Sequence, residues 1–524
     1  MSREPILRLL DNPIGIAQAR RRLRRKQAMP GFLVIALISM AVLALAGAMR
    51  SDPNSWDVAR DLFMAGIAGI LCLRGTGQVS ATVAEDRHSG RLDSYRVTPT
   101  SAWTDGLGYV AGCAAREYVS ALILTPFFLL ASVLADGSLV GAFIALYVIL
   151  ATGLMCHVYG AFVGLVWRGE RAASLAIGSL IGLVVITSSI SSVHLAALSH
   201  LTPLPALRSL GCFNFSGTSI ESFTYFGIPC THVTFTLLFQ GCVLAFIAWA
   251  TARKLRTDSA LAFTRRGALL LFALTTLFLI APAWHRLNAP ASLAAAAGTY
   301  LVLGVMMAGA LAIALVPSFL GTLRMIRRTR RLDRPIRWHT EGSSSWPLVP
   351  CIGLLLSSGL TMILARGVAT GALAQDSLVS SESALALAGC IAFVSLLFGA
   401  LEYSRLVPRS AWRFRLALVG VGWLALPWLL GTGAAMLLAG SAVPGYLHAS
   451  SPIYSVLGPV DSLVRLLGGQ PQVLEGGQCC WAIFIAGASS LALWRGASRK
   501  MAGIIADEAA AGDLPSIDAF RDAG

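Results

Sequence analysis

Apolar runs of about twenty residues recur along nearly the whole chain, and a run of that length is what a helix needs to cross ~30 Å of hydrocarbon. About twelve can be counted, near 31–49, 58–78, 108–135, 139–166, 172–193, 232–252, 267–285, 292–319, 347–366, 383–402, 415–440 and 477–496. Backbone N–H and C=O groups find no water in a bilayer core, so only helices and closed barrels can span it. Barrel strands would read as short alternating segments, and these are absent. Composition agrees. Of 524 residues, 56% are hydrophobic and 13% charged, whereas soluble domains run at about 45–50% and about 25%. The expected fold is an all-α polytopic membrane protein with about 12 transmembrane helices.

Charge gives the orientation. The formal net charge is +15, and the basic residues gather in every second loop. Arg168 and Arg171, then Arg253 to Arg266, Arg324 to Arg337 and Arg405 to Arg415 alternate with loops holding Asp52, Asp136, Glu221, Asp376 and Asp461. That alternation is the positive-inside pattern, with N- and C-termini cytoplasmic. Scatter over many loops argues against nucleic acid as the partner. Membrane lipid is the expected partner of residues 1–29, where Ile6, Leu9, Leu10, Ile14, Ile16 and Leu23 face Arg20 to Lys26 across a basic amphipathic helix. No cleavable signal peptide is visible, and the first span is expected to stay as an anchor.

The spans divide into two related six-helix units, 30–256 and 257–500, followed by an acidic cytoplasmic tail, 501–524. Loop lengths match between them: 79–107 with 320–346, and 194–231 with 441–476. RVTPTSAW (Arg96 to Trp103) and RLVPRSAW (Arg405 to Trp412) share five of eight residues in an alternative register. Either register relates the halves. The long outer loops suggest short helices dipping back into the membrane, and Cys212 and Cys230 lie in one of them, where they could pair.

Several chemistries are excluded. None of the three lysines follows Gly and precedes Ser or Thr, so the chain has no Walker A motif and no ATPase of its own. HExxH and GxSxG are also missing, and the eight histidines are dispersed without carboxylates at ligand spacing, so neither a metal nor any other cofactor is expected in this chain. His157, within a span, and Glu221 and Asp461, in the outer loops, are candidate pathway residues, with packing the blander role for His157. Arg116 and Glu117 open the third span, where snorkelling to the interface is expected. The central spans are otherwise nearly free of charge, which counts against ion-coupled transport.

The most charged interval of the first third is EDRHSGRLDSYRVTPTSAW, Glu85 to Trp103. Its charges imply a face toward water or a partner. Pro99 ends one element, and Thr98, Thr100 or Ser101 can cap the next. An acidic residue, Gly-x-Leu, then Pro-x-Ser and a glycine-bearing helix (Gly106, Gly108, Gly112) resemble the cytosolic loop of ABC-2 type transporter permeases. Asp86 stands at the acidic position, with Glu85 one residue earlier, followed by Gly90, Leu92, Pro99 and Ser101. Asn12-Pro13 and the Arg-rich segment after it are similar to the interfacial helix of such permeases. The resemblance implies an ABC exporter transmembrane subunit in the plasma membrane, in a bacterium the inner membrane, moving a hydrophobic or amphipathic substrate. It implies separate ABC ATP-binding subunits that bind the ATP and dock through Glu85, Asp86, Arg87, Gly90, Leu92, Arg96, Pro99 and Ser101. The 320–346 loop lacks a clear copy of the motif, although Arg327, Arg331 and Arg334 make it a candidate second docking loop. Whether the chain forms a homodimer is left open. The alternative is a twelve-span secondary transporter of major-facilitator type, since DRHSGR (Asp86 to Arg91) is similar to that family's D-R-x-G-R loop. There the spacing is off by one, and Thr82 stands where Gly is expected.

Overall fold

The computed structural model describes residues 12–49, 54–97, 100–135, 137–167, 171–189, 196–213, 223–257, 263–281, 284, 287, 290–315, 323, 326–327, 347–371, 381–406 and 476–510. Contacts divide the chain into two compact units, Met1–Ala262 and Phe263–Gly524. Among the described residues, eight helices are long and apolar enough to cross a membrane. The chain is a multi-pass, mostly helical membrane protein.

Unit 1 opens with α1, Pro13–Arg22, whose first turn is capped by Asn12: its Oδ1 accepts the N–H groups of Ile14 and Gly15 at 3.0 and 3.1 Å. α1 ends at Leu23, and α2, Arg25–Ala48, begins two residues on. The amphipathic helix expected over the first thirty residues is therefore divided, and Arg25 and Lys26 open α2, ahead of the apolar stretch Ala28–Ala48. α2 is apolar all round and leaves Leu33, Val34, Leu37 and Ile38 exposed, the surface a lipid-facing helix needs.

α3, Ser55–His88, is the frame of the unit. At 1.5 Å per residue it runs about 50 Å, well past a ~30 Å hydrocarbon core. A π-helical stretch, Gly69–Gly75, interrupts it. Then follow α4, Arg91–Arg96; α5, Ala102–Cys113; α6, Ala115–Leu134; and α7, Leu139–Val166. The expected third span, 108–135, is thus two helices that break at Ala114. The reason is packing: α5 lies against α1 rather than continuing α6. A Cβ on Gly112 would stand 2.5 Å from the Gly15 carbonyl oxygen, and one on Gly108 would stand 2.6 Å from the Asn12 side chain, so only glycine permits this approach.

α8, Arg171–Ser189, packs on the second half of α3 and on α7. The loop after it holds two short helices, α9 (Ala196–Ser199) and α10 (Leu204–Ser209). It also forms a two-stranded antiparallel hairpin, β1 (Phe223–Tyr225) with β2 (Ile228–Cys230), an addition to the expected all-α content. Phe226 and Gly227 both have positive φ, 50° and 83°, which suits a two-residue hairpin turn. Cys212 and Cys230 are free thiols, not a disulfide: Cys212 is buried in the apolar core, while Cys230 ends β2. α11, His232–Arg256, closes the unit against α7.

Among the described residues of unit 1, two apolar clusters pack against the first and second halves of α3. The first gathers Phe63, Met64, Ile67, Leu71, Phe128 and Ile149. The second gathers Ile14, Val79, Val83, Leu92, Tyr109 and Leu165.

Unit 2 contains α12 (Arg265–Ile280), α13 (Pro290–Leu315), α14 (Leu348–Ala369), α15 (Ser381–Arg405) and α16 (Gly476–Ala510). Tyr300 on α13 donates to the Leu355 carbonyl at 2.9 Å, and Trp494 on α16 donates to the Ser395 carbonyl at 3.2 Å. The stretches 172–193, 267–285 and 292–319, expected to span, lie on α8, α12 and α13, whose described apolar portions are shorter than the eight. The expected span at 415–440 lies outside the described residues.

Candidate functional site

The segment from Glu85 to Trp103 has an inner and an outer face. Asp86 belongs to the inner one. It sits in the last turns of α3 with no exposed surface. Its Oδ2 accepts from Tyr109 O–H at 2.9 Å and from Gln18 Nε2 at 3.3 Å, and its Oδ1 accepts from Arg91 Nη1 at 3.4 Å. Burial pushes the Tyr109 phenol up, and the neighbouring Asp86 carboxylate pushes it further, so Tyr109 remains a donor. Leu92 is also buried, in the second core. The expectation that the whole charge run faces water or a partner is therefore corrected at these two positions. A buried carboxylate is tolerated because three donors satisfy it.

Arg87 and Arg96 point back into the unit as well. Arg87 donates to the Leu165 carbonyl in the last turn of α7. Arg96 donates from Nε to the Leu255 carbonyl at 2.8 Å and from Nη2 to the Lys254 carbonyl at 3.1 Å, at the end of α11, and also pairs with Asp93. The last four carbonyls of a helix have no partner within it, and a guanidinium satisfies them while opposing the negative end of the helix dipole. Three helix C-termini, those of α3, α7 and α11, are thus joined through one short stretch. Gly90 makes the turn between α3 and α4 with φ 76°, a left-handed conformation.

The outer face carries Glu85, His88, Arg91, Asp93 and Ser94, all exposed, together with Val97 at 84% and Trp103 at 51% exposure. Two large apolar side chains among charges form a mixed surface suited to a protein partner. Ser101 caps α5, its Oγ accepting the Thr104 N–H at 3.1 Å. Pro99 lies outside the described residues, as do Glu221, Asp461, Arg331 and Arg334; Arg327 lies in a short described helical piece.

His157 lies in α7 with no exposed surface. Its Nε2 is 2.8 Å from the Leu71 carbonyl oxygen and its Nδ1 is 2.8 Å from Tyr118 Oη. The carbonyl can only accept, so Nε2 carries the proton and Nδ1 accepts from the tyrosine. Leu71 belongs to the π-helical stretch, where the i→i−4 ladder is interrupted and a carbonyl can turn to a side chain. His157 therefore holds α3 to α7. The sequence carried no sign of Tyr109 and Gln18 as partners of Asp86, because they lie 23 and 68 residues away from it.

Glu117, expected to snorkel, is instead buried and pairs with Arg74 at 3.3 Å. Arg74 falls inside what reads as an apolar run, and the length of α3 brings it to the start of α6.

Comparison with protein-family models, curated proteins and solved structures gives no match.

Proposed function

We propose that this chain is the membrane subunit of an ATP-driven ABC exporter of the ABC-2 type, built from two fused six-span units. Separate ATP-binding subunits supply the ATPase and dock on the outer face of α4, on the cytoplasmic side of a bacterial inner membrane. The observation that supports this reading is the coupling of the joined end of α3 and α4 to other helix ends. Arg87 and Arg96 hold the C-termini of α7 and α11, and Asp86 fastens the end of α3 to α5 and α1. A push on α4 would therefore be passed to three long helices together. The resemblance over residues 85–112 points the same way. The scarcity of charge in the apolar runs suits a hydrophobic or amphipathic substrate.

The test uses exposed residues, since Asp86 is structural. The tagged chain is expected to co-purify with an ATP-binding protein. Arg91→Glu combined with Val97→Asp is expected to lose that protein while the chain still folds. The reading fails if the double variant retains the ATPase. It also fails if transport survives ATP depletion and stops when the proton gradient is collapsed.

A further inference from the structure

Where the end of α1 approaches α3 and the first turn of α6, a cavity of about 290 Å3 opens among Arg21, Arg22, Arg24, Arg74, Arg116 and Glu117. Five guanidiniums face one carboxylate. Glu117 Oε1 takes up Arg74, and Arg21 is 3.8 Å from the half-exposed Glu85. Arg22 donates from Nη2 to Thr82 Oγ1 at 2.8 Å, while its Nε is buried without a partner. Among the described residues, Arg24 and Arg116 have no ion pair. Arg116 lies over Gly31 of α2, where a Cβ would come 2.6 Å from its Nη2. Glu117 Oε2 is buried as well and accepts from no donor, on a side chain only 3% exposed.

The cavity has a definite depth. Arg24 directly precedes α2, and Arg116 stands in the first turn of α6. Arg74 lies nineteen residues after Ser55, about 29 Å along α3. That is the thickness of a hydrocarbon core, so three spans cross the headgroup level where these arginines meet. Crowded like charges are unfavourable there unless an anion joins them. A guanidinium matches phosphate through paired N–H groups, and basic pockets between spans are where lipid phosphates bind. The exposed strip of Leu33, Val34, Leu37 and Ile38 runs away from Gly31 along α2 and offers a track for acyl chains.

We propose that this cavity binds a phosphate-bearing anion, presented in the membrane by the headgroup of an anionic phospholipid. The guanidiniums of Arg24 and Arg116 hold the phosphate. Glu117 Oε2 accepts from a headgroup hydroxyl, and the acyl chains lie along α2. The site goes beyond the transport reading and does not depend on it.

The test is arginine footprinting with phenylglyoxal, read by mass spectrometry on the full chain. Phosphatidylcholine nanodiscs with and without phosphatidylglycerol are compared, and millimolar inorganic phosphate forms a third arm. Exposed Arg495 and Arg499 serve as references. Phosphatidylglycerol is expected to slow modification of Arg24, Arg74 and Arg116 at least about fivefold, as occupancy at several times Kd requires, and to leave the references unchanged. Equal slowing by inorganic phosphate supports the phosphate site and assigns it to a soluble ester. No slowing, or equal slowing at the references, overturns the proposal. Arg24→Gln with Arg116→Gln is expected to abolish any rise in Tm given by phosphatidylglycerol. Gly31→Leu, which displaces Arg116 and removes no charge, is expected to do the same, and a Tm rise kept by both variants also overturns it. Footprinting of the unaltered protein decides the matter if the double variant does not fold.

Discussion

The two ends of α3 each bury an aspartate, by different means. Near its start, Arg60 pairs with Asp57 at 2.8 Å and with Asp61 at 3.1 Å, and it donates to the Gly211 carbonyl at 2.7 Å. Asp61 Oδ2 accepts the Phe213 N–H at 2.9 Å. Charge meets charge, and the loop after α10 is fastened by its backbone. At the other end, Asp86 is held by a phenol and an amide, and its nearest cation, Arg91, is half-exposed at 3.4 Å. Neutral donors can be exchanged for others at small cost, whereas a buried ion pair cannot lose one member cheaply. The difference marks the first end as an anchor and the second as a joint.

The largest effect is expected at the anchor. Arg60→Ala leaves Asp61 buried with a single backbone donor and should cost about 3–5 kcal/mol of stability, read from thermal unfolding of the detergent-solubilised chain. A loss below about 1 kcal/mol would remove the distinction between the two ends.

The same end should carry a pH signature. His200 is buried, shares a hydrogen bond of 2.7 Å with Thr236 Oγ1 and stacks on His232. Burial, and after it the neighbouring His232, lower its pKa to about 3. The folded-state value lies below the ordinary one, so the unfolded chain takes up a proton below about pH 6.5 that the folded chain refuses. Stability is then complete above that pH and falls as the pH drops toward 3. Between pH 7.5 and 5 the loss should be about 2 kcal/mol, and His200→Gln should flatten the slope. An unchanged slope in the variant would assign the pH dependence elsewhere. At the joint, Tyr109→Phe removes one donor from a buried carboxylate and should cost about 1–2 kcal/mol, below the anchor value.

The anchor and the joint were not equally legible in the sequence. Long apolar runs announce spans directly, because no other structure satisfies a backbone in lipid, and α2, α3, α7 and α11 fall where the runs fall. Side-chain burial within a charged run is not announced. Glu85, Asp86 and Arg87 are adjacent in sequence, yet Glu85 is exposed, Asp86 is fully buried and Arg87 is intermediate, since successive residues of a helix point about 100° apart. Period could have shown this: Val79, Val83 and Asp86 stand three or four apart on one face. The break at Ala114 has a sign in the sequence, since Gly108 and Gly112 four apart mark a close helix contact. Arg74 was hidden by the apolar residues around it, and its role is set by the depth of α3 rather than by its neighbours.

The smallest expected effect is the most informative about function. Arg91 reaches Asp86 from the outer face with its side chain 55% exposed. Solvent screens such a pair, so Arg91→Ala should change stability by less than about 1 kcal/mol. If α4 serves as a docking surface, the same substitution should still weaken capture of the ATP-binding subunit, and more so at higher ionic strength, because rim charges act on encounter. Tyr109→Phe should show the opposite balance, with stability reduced and the outer charges intact. Measuring binding and Tm for both variants separates the face from the joint. If both lose the partner only in proportion to their loss of stability, the outer face of α4 makes no contact of its own.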